Sequence, residues 1–297
     1  MFSKSTLLHL RIPFSYFLLP VYLFSLSASP NLNESKLLWV FIILHFFLYP
    51  ASNGYNSYFD KDEKSIGGLK NPPPVNGGLY WMALLMDLIA IVLGMIKISW
   101  LFSMMLLIYG LVSKAYSHPF IRLKKYPIIG WIVTGLFQGL FTFLMCYMGI
   151  NNFGIENVLK ASVLYPALLT SIMLWASYPM TQVYQHEEDE QHGDNTLSRM
   201  LGIRGTFYFA GAFFSLAAVG FVLYFRNFYE LGYGLTFLAA LSPVVLFFGY
   251  WFLKVFKDPG EANFRFTMWL NFISATCLNG FFIWLFFEVS HVGEYLF

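Results

Sequence analysis

The stretch LLWVFIILHFFLYPASNGYNSYFDKDEKSIGGLKNPP, Leu37 to Pro73, decides the fold. Its first half, Leu37–Asn53, is an apolar run of about the length that a bilayer's hydrocarbon core demands. Its second half holds three acids and three lysines and ends in glycines and prolines, which mark an irregular loop. The run shows no period-2 alternation, so it predicts a membrane-spanning helix whose end carries a concentrated polar site.

The rest of the chain extends this pattern. Its 297 residues are 58% hydrophobic and only 11% charged, with a mean hydropathy of +0.60, whereas a soluble domain carries about 25% charged residues. A soluble protein would have to hide about nine such runs in its core. The runs are Ile12–Ser27, Leu37–Asn53, Leu79–Ile98, Trp100–Ala115, Ile128–Ile150, Ala161–Met180, Thr206–Phe225, Leu231–Leu253 and Met268–Phe287. They predict an all-α integral membrane protein with nine transmembrane helices, residues 1–297 forming one domain. A transmembrane barrel is excluded by the length of the runs and their lack of alternation.

Thirteen of the 18 Lys and Arg residues lie at the N-terminus or in the even-numbered loops, and Lys114 lies near the same side. The positive-inside rule places these segments, and the N-terminus, in the cytoplasm, across the inner membrane if the host is bacterial. The first run follows Lys4 and Arg11 and ends in SLSAS, as a signal peptide would, but it exceeds a usual signal core and is read as a retained helix. Cys146 and Cys277 fall inside runs and imply no disulfide framework. Nucleic acid is not an expected partner; membrane lipid is.

Half of the 16 acids sit in two cytoplasmic places: Asp60, Asp62 and Glu63 after the second run, and Glu187, Glu188, Asp189, Glu190 and Asp194 after the sixth. A charge run is usually a solvated face, but here each cluster is fused to a helix end. Residues four apart share a helix face, so Asn56 and Asp60 point together, with Glu63 and Lys64 expected one turn further on. Gln185 and Asp189 repeat the spacing, with Glu188 beside them. Facing one another, the two ends would offer hard oxygen ligands to Mg²⁺, which takes one or two protein carboxylates and leaves its other positions to phosphate and water. The loop KAYSHPFIRLKKYP adds Arg122, Lys124 and Lys125. Alone it could be an anchor for anionic lipid; beside two acidic clusters it suits the cationic half of a diphosphate clamp.

Together NSYFDKDEK, YSHPFIRLK and QHEEDEQHGDNTLSRMLG resemble the motifs of the UbiA-type intramembrane prenyltransferases: NDxxDxxxD after the second helix, a YS…RLK loop after the fourth, and DxxxD after the sixth. The resemblance covers nearly the whole chain. It implies nine helices around a central cavity capped by cytoplasmic loops, with an active site at the cytoplasmic face. Two carboxylates of the pattern are replaced, by Lys64 and by Gln185, and Glu63 and Glu188 are the nearest substitutes. The resemblance further implies Mg²⁺ as cofactor, held among Asn56, Asp60, Glu63, Gln185, Glu188 and Asp189. The partners are a prenyl diphosphate donor and a lipophilic, generally aromatic acceptor. Asp60, Asp189, Arg122 and Lys124 would be the catalytic residues. Asn56, Lys64, Tyr116, Lys125, Tyr184 and Arg199 would bind substrate.

Aromatic residues make up 21% of the chain. Most are core or lipid contacts, but Tyr55, Tyr58, Tyr116 and Tyr184 border the motifs and could face a carbocation. Asp87 and His45 lie inside runs, where ionisable groups are functional candidates or interhelical polar contacts. Gly135 to Gly139 form a small-xxx-small pattern that permits close helix packing. Two alternatives carry the same charges: a multi-span transporter, which would place its polar groups near the midplane, and a non-catalytic prenyl-lipid-binding member of the family, suggested by Lys64 and Gln185.

Overall fold

The computed structural model describes residues 3–290. Its regular structure is helical, and among the described residues the single β feature is an isolated bridge between Ile66 and Leu69. Among the described residues eight helices are long and apolar enough to cross a membrane: Lys4–Ser27, Glu34–Asp60, Gly78–Lys97, Trp100–Ser117, Pro127–Asn151, Ala161–Thr181, Leu197–Phe228 and Phe264–Ser290. The pair Leu231–Ala240 and Ser242–Lys257, eighth in chain order, is apolar enough when taken together and is bent by 43°; counted as one span it brings the number to nine. Pro243 sits in the first turn of the second half, where its missing N–H leaves no bond unmade.

Other breaks are local. The first span is interrupted at Arg11, which adopts a left-handed conformation (φ 47°) before Pro13. The seventh is kinked at Gly202, where φ is +69°; such a conformation suits glycine because it has no Cβ. Spans two and five each contain a π-helical turn, Ile43–Leu48 and Leu136–Phe141.

The first span is built into the centre of the bundle. Its residues from Pro20 to Ser27 are all buried, and Phe24 stacks on Phe282 of the last span with ring centroids 4.5 Å apart. Phe24 also meets Phe143 and Phe221, at 5.4 Å each. These rings shape the core where four spans meet, since buried aromatics carry large contact areas with definite pair geometry. Cys146 and Cys277 are free thiols.

Asp87 pairs with Lys114 between the third and fourth spans, and His45 hydrogen-bonds the Phe41 carbonyl through Nδ1 and stacks on the Phe41 ring. Both groups form interhelical or local contacts and neither lines the main cavity.

The fifth and sixth spans approach most closely at the GLFQG pattern. A Cβ at Gly139 would lie 2.6 Å from the backbone of Ser171. Ser171 also serves the π turn directly: its hydroxyl accepts from Leu140 N–H at 2.9 Å and donates to the Gly135 carbonyl at 2.9 Å. Thus the backbone groups displaced by the turn are satisfied inside the apolar bundle, as they must be where no water reaches. Gly139→Ala should cost about 1–3 kcal/mol of stability by forcing the two backbones apart. Thermal melting in detergent checks this, and an unchanged midpoint would mean that the crossing tolerates a methyl group.

Candidate active site

At one end of the bundle a cavity of about 360 Å³ opens between the loops that follow spans two, four and six. Its polar end is lined by Asn56, Asp60, Asp62, Lys124, Gln185 and Asp189, and its other walls by apolar residues including Phe14, Phe17, Phe24, Phe221 and Phe282. A charged mouth on a greasy tunnel suits a ligand with an anionic head and a hydrocarbon tail.

Span two delivers the first acid. Asn56 and Asp60 do share a face: Asn56 Nδ2 donates to Asp60 Oδ2 at 2.8 Å. The helix ends there, because Lys61 turns left-handed (φ 53°). Glu63 and Lys64 therefore do not continue the helical face as expected; they lie in a loop outside the cavity lining. Lys64 pairs instead with Glu187, both well exposed, an arrangement worth little energetically. The turn at Lys61 brings Asp62 into the cavity wall, a residue that helical spacing overlooked. The aligned stretch also has Ser57 at the first Asp of the NDxxDxxxD pattern, and Ser57 lines the cavity too.

After span six, a short helix, His186–Gln191, follows Gln185. Asp189 N–H donates to the Gln185 carbonyl at 2.8 Å, and both residues line the cavity, as the four-residue spacing predicts. Thr196 donates to Asp189 Oδ2 at 3.0 Å. Glu188 is buried but lies outside the lining. Its Oε1 accepts from the backbone N–H groups of Glu63 (2.7 Å) and Lys64 (3.1 Å). It thereby fastens the loop that carries Asp62, a role its spacing gave no hint of.

The loop after span four supplies the cations. Arg122, left-handed at φ 43°, grips Asp194 through Nε and Nη2, at 2.7 and 2.8 Å, and reaches Asp60 at 3.4 Å. Lys124 Nζ lies 2.7 Å from Asp60 and 3.1 Å from Asp194. Lys125 lies over the Tyr126 ring and Arg199 bonds the Asp194 carbonyl; neither lines the cavity, because the helical turn at 123–125 and the rim contact hold them outside. Tyr116 and Tyr184 do line it, Tyr116 hydrogen-bonded to Tyr178. Arg11, which the sequence offers only as a positive flank of the first run, also enters the wall, donating to the carbonyls of Gly67 (3.1 Å) and Asn53 (3.3 Å).

The electrostatics separate the acids into two kinds. Burial would raise Asp194, but Arg122 and Lys124 hold it below the ordinary carboxylate value. Asp62, buried beside Asp60, is pushed up to about 7, and burial pushes Asp189 to about 6. Burial opposes the charge on Lys124, yet Asp60 and Asp194 outweigh it and raise its pKa. Among the described residues no three His, Cys, Asp or Glu side chains are gathered as a ready metal cluster. A hard dication needs only one or two carboxylates. Asn56 Oδ1, buried and without a hydrogen-bond partner, and the costly charges of Asp62 and Asp189 are the oxygen donors that such an ion would stabilise, so the residues present fit one.

The sequence profile of the UbiA prenyltransferase family matches residues 17–273. No curated protein matches the chain by sequence. Among solved structures, a UbiA homologue from Archaeoglobus fulgidus bound to GPP and Mg²⁺ superposes with a TM-score of 0.68 at 15% identity, over 95% of this chain and 99% of that one. An apo UbiA homologue from Aeropyrum pernix K1 gives 0.69 at 16% identity, over 92% and 97%. A structure described for digeranylgeranylglyceryl phosphate synthase gives 0.59 at 21%, over 94% and 97%.

The Asp62 carboxyl has a sign-definite consequence for the metal-free protein. Its pKa rises from 3.8 unfolded to about 7 folded, so the folded state holds more protons in that window and loses stability as pH rises through it. Asp62→Asn should therefore raise the melting temperature in chelator at pH 8, and the gain should vanish near pH 4. Melting curves at both pH values check this; an equal gain at both would mean that ionisation of Asp62 is not the source.

Proposed function

The chain belongs to the UbiA prenyltransferase family, and we propose that it ionises an allylic prenyl diphosphate at the cytoplasmic end of its bundle and transfers the prenyl group to a lipophilic, aromatic acceptor. The observation that carries this reading is the join of three loops at the mouth of one apolar cavity: Asp60 and Asp62, Lys124, and Asp189 all line it. That set suits a diphosphate and its counter-ions, and the walls beyond it suit a hydrocarbon chain.

Asn56, Asp60, Asp62 and Asp189, with Gln185, would hold Mg²⁺, which when bound neutralises the diphosphate as its bond to the allylic carbon breaks. Lys124, which lines the cavity between Asp60 and Asp194, binds the oxygens of the leaving diphosphate, while Arg122, expected to join it, lies outside the lining with its guanidinium on Asp194 and positions Asp60 and Lys124. Glu188 positions the loop of Asp62 through its two backbone hydrogen bonds. Phe14, Phe17 and Phe24 line the path of the prenyl tail, and Tyr116 and Tyr178 add aromatic rings to the same wall, whose quadrupoles favour positive charge. The buried walls exclude water, which would otherwise capture the cation.

A second reading, binding of a prenyl lipid without turnover, is favoured by one observation: Asp60 is already engaged by two cations. Turnover of labelled geranyl diphosphate by purified protein, with and without Mg²⁺, separates the two. Asp60→Ala and Asp189→Ala should each lower turnover by roughly a hundredfold or more, as loss of charge-stabilising groups does elsewhere, while melting stays cooperative. Near-normal turnover in either variant would remove the site. The cytoplasmic placement of this end rests on the distribution of Lys and Arg. A cysteine placed in the loop 258–263 should react with an impermeant reagent from the cytoplasmic side alone; reaction from outside would reverse or break the nine-span topology.

A further inference from the structure

A smaller chamber of about 100 Å³ branches from the main cavity between spans two, four, five and six. Ser52, Ser113, Tyr116, Gln138 and Tyr178 line both spaces, so the two communicate, while Tyr109 and Thr134 line the branch alone. We propose that this chamber is the acceptor subsite, and that it takes the head of a neutral phenol or quinol-type ring in preference to an anionic acceptor; the proposal rests on the donor reading above.

Three observations carry it. Beside Val133 and Phe137 the chamber is lined by hydroxyl-bearing side chains and one amide, and no charged side chain is among its lining residues. A carboxylate or phosphate placed there would lose its hydration with no cation to replace it, whereas a hydroxyl or carbonyl would find hydrogen-bond partners. Ser52 Oγ is buried without a hydrogen-bond partner and lines both spaces. An orphaned buried hydroxyl of this kind is paired when a polar ligand arrives.

The second observation is how Gln138 comes to line the chamber. It sits within the π turn Leu136–Phe141, whose freed backbone groups are met by Ser171 and by Thr142, whose hydroxyl donates to the Phe137 carbonyl at 2.7 Å. A π turn inside a long helix re-aims side chains and recurs at functional sites. Here it sets an amide, able both to donate and to accept, in the wall of an otherwise uncharged space.

The third is depth. Ser52 lies one helical turn inward of Asn56 and two turns inward of Asp60 on the second span, about 6 and 12 Å along the axis. Ser52, where the chamber joins the main cavity, thus lies on the membrane side of Asp60, the side toward which the prenyl chain of a diphosphate held at Asp60 and Lys124 would run. A ring seated there would present an edge to the allylic carbon. The C–O bond breaks with its electron pair leaving on the diphosphate, the ring carbon bonds to the allylic cation, and the ring then gives its proton to the released diphosphate, which restores aromaticity.

Photolabelling tests this with the probes 4-azidophenol and 4-azidobenzoate, added to purified protein with geranyl diphosphate and Mg²⁺, and the labelled peptides mapped. The phenol should label peptides bearing Tyr109 and Ser113 or Thr134 and Gln138 at least fivefold more than the benzoate does, and Gln138→Leu should cut that labelling at least fivefold. Equal labelling by both probes, or labelling unchanged in Gln138→Leu, would overturn the assignment. Binding of labelled geranyl diphosphate is measured on the same samples. Donor binding retained in Gln138→Leu shows that the variant is folded, and loss of donor binding in the unaltered protein would instead count against the donor reading itself.

Discussion

The site hangs on a network in which two cations are shared by two carboxylates: Arg122 and Lys124 each reach both Asp60 and Asp194. Those four residues come from three loops far apart in sequence, so the network fixes where the ends of spans two, four and six sit relative to one another. Buried charges are costly unless paired, and Asp60, Asp194 and Lys124 are almost wholly out of solvent. Removing any one would leave its partners uncompensated. The positions of the remaining polar groups, Asp62, Gln185 and Asp189 among them, follow from that junction.

The same network explains why the cavity has two characters. Charge is confined to the end where the loops meet, and every span that continues away from it contributes rings or aliphatic side chains. The aromatic junction of Phe24, Phe143, Phe221 and Phe282 seals the deep core by packing alone, a contact that loses nothing by being remote from water. The polar groups that line the cavity deeper, Thr170, Asn271, Ser274 and those of the branch beside Gln138, are uncharged.

Much of this was legible in the sequence. The apolar runs located the spans because the bilayer imposes a length, and the eighth differed only in being bent at Leu241 before Pro243. Asn56 with Asp60, and Gln185 with Asp189, were placed correctly by helical spacing. That rule fails where a helix stops. One left-handed residue, Lys61, exchanged Glu63 and Lys64 for Asp62 at the cavity wall, and the backbone angle of a lysine is not written in its identity. Glu188 was misread for a related reason: its partners are main-chain N–H groups, which every sequence has and none advertises. Asp194 belonged visibly to an acidic run, but its bidentate hold on Arg122 depends on a fold in three dimensions. The π turn in span five was masked by a glycine pattern that reads equally well as simple close packing.

The hydrogen bonds from Glu63 and Lys64 to Glu188 have a bearing on cooperativity. A single carboxylate clasps two consecutive amides of one loop while belonging to the short helix His186–Gln191, so neither segment can loosen without releasing the other. The two motif loops thus make one cooperative unit in the sense of local unfolding. Order gained in either, by a ligand or by a neighbouring contact, is order gained in both, and the loops over the cavity order as one piece rather than as two independent flaps.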